Sequence, residues 1–377
     1  MTPTSIYFII SRGDVIGGAQ VHVITLSKLA RDNGLSPTIL SGHENGDLSQ
    51  WCCQENIPHI FIPGLSNDSN IFLTLKSFFS IYILLSVPRA IFSFHSSKAG
   101  AIGRLISIFT RTKIFYTVHG WNYTNQLFSF NGIFTFLIEL LYEILFSFNS
   151  HLIFVSNFDK NHRPLPFMNL IYPNSLIYNT VTNITSSYSH TSYSSHLHIG
   201  MIGRFTNQKS QSSLLSAIRL LPSVTVDFVG DGYNLEQCID LADYYGISDQ
   251  VNFLGRLSNE NARSSLSRWD IYLLISNWEG FPRSLLESIA SATPIISSNV
   301  GGCSEFFTSS YSKNNPIGIL LTDNKPETIA SAISFYLDHP KLISVHGKNA
   351  RCLYQSQFSF QAFSASYLSL WSSFQYN

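Results

Sequence analysis

Charge is scarce in this 377-residue chain: Asp, Glu, Lys and Arg make up 12% of it, about half the share in an average soluble protein. Acidic and basic residues balance at 23 each, so no net field draws the chain to nucleic acid or to an anionic membrane. The cysteines are few and unpatterned: Cys52, Cys53, Cys238, Cys303 and Cys352 are odd in number and lack zinc spacing. They read as reduced thiols of a cytosolic chain. The opening residues MTPTSIYFIISRGD lack the basic region and long apolar core of a signal peptide and read as a strand followed by a loop. In such a chain the glycosylation triplets at Asn67, Asn122 and Asn183 are chance matches. No Asp-x-Asp closes a candidate strand and no cluster has metal-ligand spacing, so the expectation is no cofactor and no obligatory metal.

Long uncharged spans are also missing. Residues 71–87 contain Lys76 and end before Pro88, short of the ~20 apolar residues a membrane span needs. In the stretch from Leu127 to Phe148, Asn131, Thr135, Glu139, Glu143 and Ser147 recur every four residues. That period draws one narrow polar stripe along a helix that is otherwise Phe, Leu and Ile. Two readings stay open here: a mostly buried helix of a large domain, or a helix resting in the membrane interface.

Apolar residues, in contrast, are abundant at 45%, with 29 Phe. They supply ample core, and with so few surface charges some apolar surface is expected to face a partner or lipid. β-rich runs alternate with helical patterns throughout, which predicts α/β architecture with parallel sheets. IYFII (6–10), PTIL, AIFSFHS, KIFYTVHG and HLIFVS give a first domain over 1–181, with a helix from about Ala19 to Asp32 closed by Gly34. A Ser/Thr/Tyr-rich linker over 182–196 follows. HIGMIGR, VTVDFVGDG, VNFLGR, DIYLLIS and PIISS then mark a second doubly wound domain over 197–355. An aromatic helical segment, 356–377, is expected to pack back at the interface between the domains. Open α/β sheets bind ligands at the carboxyl ends of their strands, so the expected site is a cleft between the two domains.

Three strand ends carry chemistry. After HIGMIGR, Gly203 frees the backbone, Arg204 follows, and Lys209 comes five residues on. Two cations before a helix N-terminus suit a diphosphate, although ordinary surface residues fit the same pattern. VGDG, with Gly230, is a second glycine turn. The third is SNWEGFPRSLLE, where Glu279 lies in a loop and Pro282 suits the first helical turn. The amides of Arg283, Ser284 and Leu285 would be open to an anion, and Glu287, one turn further, could accept hydrogen bonds from a ribose diol. One carboxylate for sugar hydroxyls, one for ribose and phosphate between them form a coherent set.

EGFPRSLLE resembles the E-x7-E element of glycosyltransferase family 4, the retaining nucleotide-sugar enzymes of the GT-B fold. GRFTNQK resembles that family's donor-phosphate segment, and SNVGGCSE the turn after the E-x7-E helix. GGAQVHV, FHSSKAG and YTVHGW resemble segments of bacterial surface-polysaccharide (O-antigen) transferases, while Asn179-Thr180 departs from the family's usual asparagine-glycine pair. The resemblance implies that Arg204 and Lys209 neutralise the donor diphosphate, Glu279 holds the transferred sugar and Glu287 the ribose. Gly280 and Phe281 would lie at the donor too. Gly17 and Gly18 would let the backbone approach the β-phosphate or sugar, His119 would stand by the reacting carbon, and His95 and Lys98 would meet the acceptor.

It further implies transfer of a hexose or N-acetylhexosamine, carried by a nucleotide such as UDP, to a lipid-diphosphate-linked oligosaccharide. Such an enzyme would work at the cytoplasmic face of a membrane, with Arg12, Lys98, Arg104, Arg111 and Lys113 drawing it to anionic lipid. A Rossmann dehydrogenase is set aside, because GDVIGGAQ is not a G-x-G-x-x-G turn. A GT-B epimerase or hydrolase without acceptor, and an inactive GT-B binding protein, remain as alternatives.

Overall fold

The computed structural model describes residues 4–66, 70–121, 130–182 and 196–374, without the side chains of 71, 130 and 131. The triplets at Asn67, Asn122 and Asn183 and the predicted linker between 183 and 195 lie outside the described residues. The chain divides into two compact units, Met1–Tyr178 with Ser364–Asn377, and Asn179–Phe363.

The first unit runs β1 (Ser5–Ile10), α1 (Gly18–Asp32), β2 (Ser36–Ser41), α2 (Asp47–Gln54), β3 (His59–Phe61), α3 (Ile71–Leu85) and β4 (Ala90–His95). It continues with α4 (Ser97–Thr110), β5 (Ile114–Val118), α5 (Phe130–Phe146), β6 (Ser150–Phe154), α6 (Asn157–Asn161) and β7 (Asn174–Leu176). Among the described residues its sheet has seven parallel strands, in the order β3-β2-β1-β4-β5-β6-β7. The central strands carry near-continuous apolar runs because helices cover both faces: Phe8, Ile9, Phe94, Phe115 and Ile153 have no accessible surface.

The second unit runs β8 (Leu197–Ile202), α7 (Gln211–Ile218), β9 (Val224–Val229), α8 (Leu235–Tyr244), β10 (Val251–Phe253), α9 (Asn259–Leu266) and β11 (Ile271–Leu274). There follow α10 (Arg283–Ala290), β12 (Ile295–Ser298), α11 (Cys303–Thr308), β13 (Gly318–Leu321), α12 (Pro326–Asp338) and α13 (Lys341–Leu353), and of α14 (Phe360–Phe374) only the first turn, to Phe363, belongs to this unit. Among the described residues its six parallel strands are ordered β10-β9-β8-β11-β12-β13. Each unit therefore has the doubly wound topology expected. Strand order reverses between β1 and β4 in the first, and between β8 and β11 in the second, and a crevice opens at such a switch point.

Three strands were not foreseen: β3, β7 and β13 have three, three and four residues. Each flanks its sheet, and so short a run carries no legible period. Pro282 stands one position earlier than the sequence suggested. It caps α10 in an extended conformation, φ −72° and ψ 120°, and Arg283 is the first helical residue. From Ser364 onward the terminal helix belongs to the first unit, where Trp371 lies against Phe8 and Phe374 against Phe115.

Helix α5 is not mostly buried. Its polar stripe faces inward and its apolar face outward: Glu139 and Glu143 are buried, whereas Phe134, Leu137 and Leu141 are more than half exposed. Arg104 from α4 donates to Glu139 at 2.8 Å and to Glu143 at 3.2 Å, and Arg163 Nε donates to Glu143 at 2.6 Å. The expectation that Arg104 attracts lipid is thereby corrected, since its side chain is completely buried. Two inward carboxylates require cations beside them, because a buried unpaired charge costs several kcal/mol. Among the described residues, no helix is long and apolar enough to cross a membrane.

Removing one partner should expose this dependence. Arg104→Leu is expected to destabilise the protein by about 3–5 kcal/mol in urea unfolding. Replacing Arg104, Glu139, Glu143 and Arg163 together by Leu or Met should cost far less. A single-variant cost below about 1 kcal/mol, the scale of a surface ion pair, would show that the network does not hold α5.

Candidate active site

In the second unit, chemistry gathers where β8 and β11 end. Past β8, the Gly203 amide donates to Val229 O at 2.9 Å, which ties this loop to the end of β9. Gly230 makes the close approach possible. Its φ is +142°, and a Cβ there would lie 2.1 Å from the Gly203 carbonyl oxygen. The loop then runs antiparallel to the exit of β11: Ser210 N donates to Ile275 O at 2.9 Å, Asn277 N donates to Gln208 O at 2.8 Å, and Lys209 bridges Ser276.

That backbone pairing delivers Lys209 to Glu279, and the two form an ion pair with little solvent exposure. Gln208 Nε2 donates to Trp278 O at 3.0 Å and reaches Glu279 Oε2 at 3.5 Å. Arg204 remains exposed, and its guanidinium makes no hydrogen bond or ion pair among the described residues. The turn after β12 braces Glu279 from behind. Gly301 has φ +52°, and a Cβ would fall 1.9 Å from the Glu279 carbonyl oxygen, while Gly302 N donates to Gly280 O at 2.7 Å. Phe281 is buried and stacks on Phe306, with centroids 4.8 Å apart.

Helix α10 begins beside this pair. Pro282 supplies no side-chain cap, so the first-turn amides of Arg283, Ser284 and Leu285 receive none from it. Leu285, Leu286 and Ile289 turn into the core, and Glu287 lies on another face. Glu287 Oε1 takes Arg263 Nε at 3.2 Å and Arg283 Nη2 at 3.5 Å. Its Oε2 accepts no hydrogen bond among the described residues and is available to a diol. The Arg283 side chain is largely buried and also donates to Thr180 O at 3.0 Å, so toward an anion it offers its amide. Arg263 and Gln208 escaped the sequence reading. Arg263 lies 24 positions before Glu287 on α9, and no local pattern links the two.

The first unit carries a separate cluster at its own switch point. Gly17 caps α1 and Gly18 is its first residue, both exposed, with the Gly17 amide donating to Gln20 Oε1 at 3.1 Å. Lys98 donates to Ser66 O at 2.6 Å. His95 is fully buried, and both of its ring nitrogens are engaged: Nε2 with the Ser93 hydroxyl at 3.0 Å and Nδ1 with His119 Nε2 at 3.2 Å. His22 lies edge-on to His119 at 4.9 Å, and its Nε2 meets Tyr367 OH at 3.0 Å. Burial holds His119 down, to about 4, and His95 well below the ordinary histidine range, with His119 and His22 adding to the effect on His95.

Both rings are therefore neutral near pH 7. Ligating atoms of His22, His95 and His119 lie within 4.8 Å of one another. His95 spends both ring nitrogens on hydrogen bonds, whereas His22 and His119 each engage Nε2. His22 stood inside the quoted GGAQVHV segment, but only the adjacency of β1, β4 and β5 brings it to the others.

Residues 186–352 match the family described as glycosyl transferases group 1. Over 301 residues the chain is 27% identical to the O-antigen biosynthesis glycosyltransferase WbnH of Escherichia coli, covering 79% of this chain and 82% of that one. Over 335 residues it is 26% identical to the E. coli UDP-Gal:alpha-D-GlcNAc-diphosphoundecaprenol alpha-1,3-galactosyltransferase, covering 82% and 81%. Among solved structures, Anabaena HepE in complex with UDP and glucose superposes with a TM-score of 0.78 at 18% identity, over 98% of this chain and all of HepE. With two doubly wound sheets and these likenesses, the chain is a glycosyltransferase of the GT-B fold, and its residues 186–352 carry the domain of glycosyl transferases group 1.

Proposed function

We propose that the enzyme transfers a hexose or N-acetylhexosamine from a nucleoside-diphosphate sugar, most simply a UDP-sugar, to a glycan carried on a lipid diphosphate, in bacterial surface polysaccharide synthesis. As in family 4, the transfer retains anomeric configuration and needs no obligatory metal ion. The observation that carries this reading is the secluded Lys209–Glu279 pair at a sheet switch point, with the α10 amides and Glu287 Oε2 next along the chain. Two names support the finer points: HepE was solved with UDP and glucose, and the galactosyltransferase relative is named for a UDP-sugar donor and a diphosphoundecaprenol acceptor.

In this mechanism Lys209 exchanges Glu279 for the donor diphosphate, and Arg204 and the first-turn amides of α10 join it. Glu279, freed, accepts from the sugar hydroxyls, and Glu287 Oε2 accepts from the ribose. As the bond from the anomeric carbon to the phosphate oxygen breaks, negative charge grows on the leaving diphosphate. Fixed cations and amides meet that charge without reorganising. His119 hydrogen-bonds the sugar or the leaving phosphate, and the first unit holds the acceptor.

We further propose that the first unit rests on the cytoplasmic face of a membrane through α3 and α5. Phe72, Phe79 and Ile83 on α3 and Phe134, Leu137 and Leu141 on α5 are exposed. Between Asn70 and Tyr178 the acidic residues are Glu139, Glu143 and Asp159, all buried, while Lys76, Arg89, Arg111 and Lys113 are exposed. A surface of this kind suits anionic lipid, with cations beside an apolar face and no exposed acid in the described part of that span.

Three outcomes are expected. Glu287→Ala should raise the donor KM through loss of charge-assisted hydrogen bonds, by about 1.5–3 kcal/mol; parent-like kinetics in a folded variant would remove Glu287 from the ribose site. Lys209→Ala and Arg204→Ala should lower kcat by about a hundredfold or more while EDTA leaves the parent active, and a strict Mn²⁺ or Mg²⁺ requirement would contradict this. Replacing Phe134, Leu137 and Leu141 together by Ser should move the enzyme from the vesicle pellet to the supernatant with its circular dichroism unchanged. Retained binding would place the lipid contact elsewhere.

A further inference from the structure

A buried hydroxyl has a direction, and in the first unit that direction propagates. Ser93, in the middle of β4, is 1% exposed. Among the described residues its hydroxyl has one hydrogen-bond partner, His95 Nε2 at 3.0 Å. A buried donor without an acceptor costs about 1–3 kcal/mol, and an unused oxygen lone pair costs less. The Ser93 proton therefore points to His95 Nε2, which acts as acceptor. A neutral imidazole carries one proton, so His95 holds its own on Nδ1 and donates it to His119 Nε2 at 3.2 Å. His119 Nε2 is thus an acceptor as well, and its proton sits on Nδ1. That nitrogen makes no hydrogen bond among the described residues, and the ring is only partly buried.

We propose that Ser93 and His95 are positioning residues that lock neutral His119 in its Nδ1–H form, so that His119 meets the substrate as a hydrogen-bond donor and not as a base. This rests on the reading that His119 touches the substrate. The partner it selects is an oxygen with an available lone pair, such as a sugar hydroxyl or a phosphoryl oxygen. His95, foreseen as an acceptor contact, thereby acts through another ring, because its own nitrogens are both spent within the fold. His22 packs edge-on against the His119 ring, with centroids 4.9 Å apart.

The test is nitrogen-15 NMR of the histidines in the full chain near pH 7.5, paired with kinetics. The parent should show His95 and His119 neutral and protonated at Nδ1. In Ser93→Ala an Nε2–H population should appear at His119, and kcat should fall about tenfold with the donor KM unchanged, the scale of one hydrogen bond. His95→Asn, whose amide nitrogen can take the place of Nδ1, should restore the Nδ1–H form of His119 and most of kcat; His95→Gln should not. An Nε2–H signal at His119 in the parent, or ring shifts that EDTA alters, would overturn the relay, the latter by showing a metal on these rings. Parent-like kcat in a folded His119→Ala would instead overturn the substrate contact, whatever the spectra show.

Discussion

An ammonium and a carboxylate with little water around them are held together at the second unit's active edge. Desolvating such a pair costs several kcal/mol, and mutual attraction repays it only in part. For Lys209 and Glu279 the contact is imposed by backbone: the loop after β8 is pinned antiparallel to the exit of β11 by hydrogen bonds at Ser210 and Asn277. Once those segments are locked, the remaining pieces follow. Gly301 can press against the Glu279 carbonyl, Phe281 can turn under the loop to stack on Phe306, and α10 can start with open amides a few residues later. On the proposed mechanism the stored ion pair is a site in waiting, because a diphosphate and a sugar would each replace one half of it.

The first unit solves the opposite problem, where to put charges that must not be seen. Glu139 and Glu143 lie under α5 with Arg104 and Arg163, and the helix turns Phe134, Leu137 and Leu141 outward. A low charge content thus has two causes. The core accounts for many of the apolar residues, and an exposed apolar face accounts for others. The histidines at this unit's switch point follow the same economy: polar atoms in a dry place satisfy one another in sequence, from Ser93 to His95 to His119.

Legibility followed the range of the interaction. Gly203, Arg204, Lys209, Glu279 and Glu287 could be picked out because each sits at a strand end or in the first turns of a helix, where a short stretch shows the chemistry. The two doubly wound units could be read from strands whose central runs are apolar on both faces. What needs two distant segments was hidden. The meeting of Lys209 with Glu279 spans 70 positions and depends on β8 lying next to β11. Arg263 at Glu287, and His22 and Ser93 at His119, depend likewise on sheet order. Arg104 was misplaced for a related reason: a cation is visible in sequence, but its partners on another helix are not.

On the proposed mechanism, donor binding divides the Lys209–Glu279 pair. Calorimetric titration of the parent and Glu279→Gln with UDP, and separately with a UDP-sugar, tests it most directly. The variant should bind UDP more tightly than the parent does, because Lys209 is no longer paired with a competing anion. The UDP-sugar should bind the variant with a smaller gain or a net loss, because the carboxylate proposed to accept from the sugar hydroxyls is gone. Equal shifts for both ligands, or weaker UDP binding in a folded variant, would contradict it.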